Sequence, residues 1–335
     1  MARAVDLVFC VLWLAACGGG ATEATRPAAA LPEDQPPAPR AHAAPQASPL
    51  VKQGEARLQA DDAAGAQALF EQALKEAPGD ARALLDLGIA REMQNDPKGA
   101  EAAYRKAIEA QPDLAEALNN LAVLLRAKGE LDEAVALLER AAKANPSSAS
   151  AQSNLGLALE DKGDAAGAER AYRAALAIKP ADVMTQVNLG LLLVGKGDDA
   201  GAKTQLHAAL AAAKDRASLL AVGNGLRRAG DAQGALQAMQ AAVAAEGAPT
   251  PALLSELSLA QRAVGDRDAA MATLQRALDL DPHYATAHYL LANMLAGAHR
   301  TDEAKKHYER YLALEPNGNQ AAQARERLKL LQKSR

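Results

Sequence analysis

Proline recurs at a fixed interval through most of this 335-residue chain. Neighbouring prolines of the set lie 34 residues apart, and the gap between Pro180 and Pro282 equals three such intervals. The set comprises Pro78, Pro112, Pro146, Pro180, Pro282 and Pro316. An interval of this length is typical of stacked supersecondary units that bury their apolar faces against one another. The sequence therefore predicts a repeat protein with one register from end to end.

Each unit carries the same small residues at the same places. A Leu-Gly or Leu-Ala pair is followed by a Gly-Asp turn, and then by two alanines on either side of a bulky residue. Examples are Leu155-Gly156, Gly163-Asp164, and Ala168, Tyr172 and Ala175. Gly ends a helix in the left-handed conformation, Asp caps the next helix, small residues allow close helix packing, and Pro stops the second helix. The pattern predicts a helix-turn-helix unit.

These residues resemble the tetratricopeptide repeat, and the resemblance covers about residues 47–318 as eight copies. It implies an all-α fold, a right-handed α-solenoid of helix-turn-helix repeats. In residues 319–335, one helical face carries Ala321, Ala324, Leu328 and Leu331, which predicts a capping helix with a charged outer face.

The fifth and sixth copies depart from the interval. Residues 183–215 make a copy of 33 residues with Lys214 at the proline position, and residues 216–250 make one of 35. Together they restore the register. The irregularity indicates either a local change in curvature or a simple difference in loop length.

The N-terminus has the features of an export signal. An apolar run over residues 7–16 is too short to span a bilayer, and Leu14-Ala15-Ala16-Cys17 resembles the lipobox of bacterial lipoproteins. The resemblance implies removal of residues 1–16, lipidation of Cys17 and a membrane tether. The alternatives are a conventional signal peptide and a misannotated start.

Residues 17–46 begin with the acceptor Cys17 and are rich in Ala and Pro, which predicts a disordered spacer. A proline-rich ligand for another protein is the alternative reading. Gly18 stands where lipoproteins kept in the inner membrane usually have Asp, so the resemblance favours the outer membrane and a domain facing the periplasm.

The first helix of each repeat is expected to line a groove that holds a peptide or a partner helix. Asn120, Asn154 and Asn188 share one repeat position, with Asp86 in the preceding copy. They resemble the asparagine ladder in the superhelix of O-linked N-acetylglucosamine transferase, where amides bind a peptide backbone. A purely structural role between helices is the alternative. The apolar groove candidates are Val123, Leu157, Val187 and Leu191.

Composition and motifs argue against other classes of function. A formal net charge of −4 gives no reason to expect nucleic-acid binding. The segment from Gly190 to Lys196 resembles a phosphate-binding loop, but Gly197 replaces the magnesium-binding Ser or Thr. The histidines of the last repeat lack metal-ligand spacing. We therefore expect no enzyme activity, no cofactor and no metal.

The sequence thus predicts a membrane-anchored scaffold that binds an extended segment or helix of another envelope protein. It resembles lipoproteins that assist pilus secretins and those that recruit proteases, and this resemblance does not choose between the two pathways. The alternative is a self-assembling, dimeric module without a peptide client.

Overall fold

Short turns with recurring cap chemistry divide residues 48–333, the range that the computed structural model describes, into seventeen α-helices without a strand. Sixteen of these helices form repeats 1–8, each a helix A followed by a helix B. The A helices are α1 (Pro49–Gln59), α3 (Ala81–Met93), α5 (Ala115–Lys128), α7 (Ala149–Lys162), α9 (Val183–Gly195), α11 (Arg216–Arg228), α13 (Pro251–Ala263) and α15 (Ala285–Gly297). The B helices are α2 (Ala63–Glu76), α4 (Pro97–Ala110), α6 (Leu131–Ala144), α8 (Ala165–Ile178), α10 (Asp199–Ala212), α12 (Ala232–Ala244), α14 (Arg267–Leu280) and α16 (Thr301–Leu314). A final helix, α17, spans Ala321–Lys333. The predicted all-α solenoid of eight repeats with a capping helix is confirmed.

Cap chemistry explains why each B helix begins where it does. In six of the eight B helices of this range an Asp side chain accepts the backbone N–H three residues later, as Asp164 does from Gly167 at 2.8 Å. A Cβ on Gly167 would collide with that carboxylate, so glycine permits the close approach. The residue before this Asp is left-handed, with Gly163 at φ 91°. The Gly-Asp turn predicted from sequence is therefore confirmed.

In repeats 1, 2 and 4 an aromatic ring of helix B packs directly against a glycine of helix A. The ring of Tyr172 lies so close to Gly156 that a Cβ there would be 2.5 Å from its Cδ1, and Tyr104 meets Gly88 in the same way. Both tyrosine side chains are fully buried. The Tyr172 hydroxyl still reaches an acceptor, donating to Glu160 at 2.8 Å, so burial leaves no polar atom unpaired.

The irregular fifth and sixth copies differ from the others in how their helices meet. Leu206 on α10 lies against Gly190 of its own repeat and against Gly225 of the next, where added Cβ atoms would be 2.7 and 2.5 Å away. The Arg216 guanidinium donates to the carbonyl oxygens of Ala242, Ala245, Gly247 and Ala248 at 2.6–3.2 Å. It thereby caps the end of α12 and fixes the longer connection to repeat 7.

The last repeat is covered by α17. Ala321 and Ala324 are buried against repeat 8, and Leu328 and Leu331 pack beside them, as the helical pattern predicts. The hydroxyl of Tyr311 accepts the backbone N–H of Gln320 at 3.2 Å, which ties the start of the capping helix to α16.

Two histidines of the last repeat are in contact, of which His288 is buried and His307 is partly exposed. His288 Nε2 lies 3.1 Å from the Pro282 carbonyl oxygen, which can only accept, so Nε2 carries the hydrogen. When both rings are neutral, the Nδ1 atom of His288 then accepts from His307 Nδ1 at 2.8 Å. Burial lowers the pKa of each ring below its ordinary value. Arg310 and His283 lower the pKa of His288 further, whereas Glu303 opposes the shift at His307.

The predicted signal peptide, Cys17 and linker lie outside the described residues, and they stay predictions. Between residues 48 and 333, no helix combines the length and the apolar character that a bilayer crossing requires.

The histidine pair predicts a pH-dependent stability. Below about pH 6.5 the two histidines bind protons more readily in the unfolded chain than in the folded protein. The free energy of unfolding should therefore decrease as the pH falls. The variant His288→Gln should weaken this dependence and keep the bond to Pro282, because Gln186 at the equivalent position donates to the Pro180 carbonyl at 2.7 Å. Urea unfolding at pH 5.5 and pH 8, followed by circular dichroism, measures the effect.

The exposed His283 provides the control. The variant His283→Gln should retain most of the wild-type pH dependence. An equal pH dependence of the free energy of unfolding in the two variants would contradict its assignment to His288 and His307.

Candidate functional site

The A helices of repeats 2–5 bring the predicted groove residues onto one surface, which we call the helix-A face. It is defined by the residues at the sixth and ninth repeat positions of α3, α5, α7 and α9. The sixth positions hold Asp86, Asn120, Asn154 and Asn188, and the ninth hold Ile89, Val123, Leu157 and Leu191. Positions three apart on a helix lie on the same side, so each repeat places one polar and one apolar residue there, although Asp86 is buried.

Hydrogen bonds link part of the asparagine row to its neighbours. Asn119 donates through Nδ2 to Asn120 Oδ1 at 3.2 Å, and its own Oδ1 accepts from Asn154 Nδ2 at 2.9 Å. Asn119 therefore bridges α5 and α7. Asn120 also adjoins the hydroxyl of Tyr104. Asn119 is not among the site residues predicted from the sequence. The adjacent Asn119-Asn120 pair is the only sequence signal that could have suggested its bridging role.

The remaining amide groups of the row are available to a ligand. Asn154 keeps its Oδ1 and one N–H, and the side chain of Asn188 makes no hydrogen bond to any residue in the described range. Both side chains are partly exposed. An amide donates and accepts at once, so it can pair with a peptide backbone of any sequence. The structure thus divides the predicted ladder into a structural end and a free end.

The apolar candidates also divide. Val123, Leu157 and Leu191 are partly exposed, whereas Val187 is only 3% exposed and packs in the core with the buried residues of α9 and α10. Val187 thus contributes no contact surface in this structure. Met184, one turn before Asn188 on α9, is 43% exposed.

The two arginines beside the row, one in repeat 2 and one in repeat 3, are already paired. Arg82 lies 3.2 Å from Glu55 and 3.1 Å from Asp86, and Arg126 lies 3.3 Å from Asp161. Each of these guanidinium groups is thus neutralised within the protein. A ligand of repeats 2 and 3 would therefore meet no unpaired guanidinium group from these two residues.

Asp86 differs from its asparagine equivalents in being almost fully buried, with 2% exposure. Burial raises its pKa to about 6, although the adjacent Arg82 opposes the shift, and the charge of Glu55 adds to it. A carboxylate at this position therefore costs stability at neutral pH, where it is ionised.

A second polar chain joins repeats 4 and 5. The hydroxyls of Ser153 and Thr185 lie 2.8 Å apart, and Thr185 donates to Asp182 at 2.6 Å. Together with the Asn119 bridge, it shows that neighbouring A helices approach within side-chain hydrogen-bonding distance on this face.

The motifs that imitate catalytic sites have ordinary structural settings. Residues from Gly190 to Gly195 are helical, within α9, with no strand before them. In the range that the structure describes, no cluster of three or more His, Cys, Asp or Glu side chains could hold a metal ion.

Comparisons with known proteins agree with the repeat architecture. Sequence profiles of the tetratricopeptide repeat match residues 51–115, 119–183 and 261–328. A search of curated protein sequences returned no match.

Several solved structures are similar to this chain at low sequence identity. Yeast Tom70 is 19% identical with a TM-score of 0.53, over 87% of this chain and 66% of Tom70. PilF of Pseudomonas aeruginosa is 20% identical with a TM-score of 0.50, over 73% of this chain and 96% of PilF. MamA is 28% identical with a TM-score of 0.44, over 48% of this chain and 93% of MamA.

Replacing the buried carboxylate should stabilise the protein. An Asp whose pKa is raised in the folded state favours folding below its ordinary pKa and loses that contribution as the pH rises through about 6. The variant Asp86→Asn should therefore match the wild type near pH 4 and exceed it at pH 8, by up to about 3 kcal/mol. Urea unfolding at the two pH values measures the difference.

Asp113, exposed in the turn between repeats 2 and 3, offers a matched control. The variant Asp113→Asn should change stability little at either pH. A gain at pH 8 equal to that of Asp86→Asn would show that burial is not the cause.

Proposed function

Because this chain is a tetratricopeptide-repeat protein, a class that generally binds other proteins, we propose that it is a lipid-anchored scaffold of the bacterial cell envelope. It holds a segment of a partner protein against the helix-A face of repeats 2–5. The role is non-enzymatic, and pilus-secretin assembly and protease recruitment are the two pathways that its sequence resemblance suggests.

The observation that carries the proposal is the unused hydrogen-bonding capacity of this face. Asn188 has no internal partner in the described range, and Asn154 uses one of its hydrogen-bonding groups. Leu157 and Leu191 lie beside them and are partly exposed. Solvent-facing amides next to apolar carbon match the needs of a bound peptide, which brings both backbone polar groups and side chains.

The predicted lipid anchor would determine where in the cell envelope the scaffold lies. Lipidation at Cys17 would tether the chain, and the Ala/Pro-rich residues up to 46 would hold the repeats away from the bilayer. The protein would thus be attached to the outer membrane, with its repeats in the periplasm.

Substitution of Asn188, the amide without an internal partner, tests whether the helix-A face binds the partner. The variant Asn188→Ala should weaken partner binding about fivefold, since one hydrogen bond contributes about 1 kcal/mol. Crosslinking in the native envelope, followed by mass spectrometry, identifies the partner, and titration of that partner with purified protein gives the affinity. The triple variant Asn120→Ala/Asn154→Ala/Asn188→Ala should lose the crosslink.

Asn317, exposed in the turn before α17, supplies the control variant Asn317→Ala. Partners that survive the triple variant at wild-type levels would exclude the helix-A face as the binding surface. A crosslink only between copies of this chain would instead support the self-assembling alternative.

The anchor has a test of its own. The variant Cys17→Ser should move the protein from the membrane fraction to the soluble periplasmic fraction, because the acceptor thiol is lost. Cell fractionation and mass spectrometry of the mature N-terminus measure both changes. The variant Cys10→Ser is the matched control, since that residue leaves with the signal peptide. Unchanged membrane attachment of Cys17→Ser would refute the lipid anchor.

A further inference from the structure

The helix-A face changes its electrostatic character along the solenoid. In repeats 2 and 3, Arg82 and Arg126 are each paired with carboxylates. In repeats 6 and 7, the exposed side chains of Arg227, Arg228 and Arg262 form neither an ion pair nor a hydrogen bond with any residue in the range 48–333. The A helices of repeats 6 and 7 therefore present three unpaired guanidinium groups, beside one partly exposed carboxylate, Glu256, at the sixth position of α13.

These arginines continue the same face. Arg227 and Arg262 hold the repeat position that Arg126 holds in α5, and Arg228 follows Arg227. They lie one and two repeats beyond Leu191, which ends the apolar row. A single ligand running along the A helices would thus meet apolar carbon first and guanidinium groups afterwards.

The spacing of the row restricts the conformation of such a ligand. Packed helices lie about 8–10 Å apart, and the hydrogen bonds between α5 and α7 and between α7 and α9 show direct contact of successive A helices. A polyproline II segment returns the same face every three residues, or about 9 Å. A β-strand returns it every two residues, or about 7 Å, and so falls out of step with the row.

The free amides favour the same conformation. A polyproline II backbone has no internal hydrogen bonds, so its carbonyl and N–H groups are open to Asn154 and Asn188. A helical ligand with apolar residues seven apart would also fit the spacing, but its backbone groups are already paired and would leave the amides unused.

We propose that the partner segment is a polyproline II strand with an apolar residue at every third position along repeats 2–5, followed by a cluster of acidic residues that pairs with Arg227, Arg228 and Arg262. The acidic cluster lies about three to six residues beyond the last apolar contact, as one or two repeat spacings require. This inference rests on the proposed function, because it specifies the ligand of the same face.

Defined peptides test both features on the full chain. The first peptide repeats Leu-Pro-Pro four times and carries six alternating Asp and Glu residues, at either end in two versions. The second replaces the acidic block with Ser and Gly, and the third places Leu at every second position. Fluorescence anisotropy at low and physiological salt gives the affinities.

We expect one orientation of the first peptide to bind most tightly. Loss of the acidic block should weaken binding about tenfold at low salt, and the period-two peptide should bind at least about tenfold more weakly. The variant Arg227→Ala/Arg228→Ala/Arg262→Ala should lose the preference for the acidic block and leave the neutral peptide unaffected. Arg170, Arg276 and Lys106 are exposed on B helices, and their triple alanine variant should keep the preference.

Three outcomes would overturn the inference. Equal binding of the period-two peptide would remove the spacing argument, and an acidic preference that survives the arginine variant would remove the charge argument. A peptide of residues 26–46 binding as tightly as the first peptide would replace the partner with the chain's own proline-rich segment.

The proposed function can be judged separately in the same experiment. If the envelope partner found by crosslinking still depends on Asn188 while the peptides show no preference, the scaffold role stands and the ligand assignment fails. If neither the partner nor any peptide responds to Asn188→Ala, both fail.

Discussion

In repeats 1, 2 and 4 an aromatic ring of helix B lies against a glycine of helix A, and this packing contact is the constraint on which the other features depend. Tyr104 against Gly88 and Tyr172 against Gly156 bring the two helices of a pair closer than any side chain at the glycine position would allow. This approach sets where the next helix A can pack, and so fixes the row of side chains on the helix-A face. The Asp caps define where each B helix begins, but the ring-glycine contact defines how it lies.

Most of the fold could be predicted from the sequence because its determinants are local. Gly-Asp turns, helix-stopping prolines and small-residue positions act within a few residues, and each recurs often enough to be recognised. The contacts of the irregular fifth and sixth repeats were harder to foresee. Leu206 meets two glycines, and Arg216 caps a helix that ends 28 residues later, because of one short and one long connection.

The candidate site was predicted by position and resolved only by geometry. The repeat position of Asn120, Asn154 and Asn188 places them on one face, yet sequence alone does not tell which amides are taken by neighbours. Asn119 hydrogen-bonds to Asn120 and to Asn154, whereas the side chain of Asn188 has no partner in the described range. Burial follows the same rule, since Val187 and Asp86 share their face with exposed residues but sit deeper because of what packs around them.

An Asp cap recurs at the start of six B helices of the described range, with Gly three residues later in five of them, and each time the cap is closed by a hydrogen bond within its own repeat. A duplication or loss of one whole 34-residue unit between two such caps would leave every cap intact. Gain or loss of a whole repeat among repeats 1–4 should therefore change the stability of the remaining repeats little. The contact of Leu206 with Gly225 joins repeats 5 and 6, so these two repeats are expected to be gained or lost together.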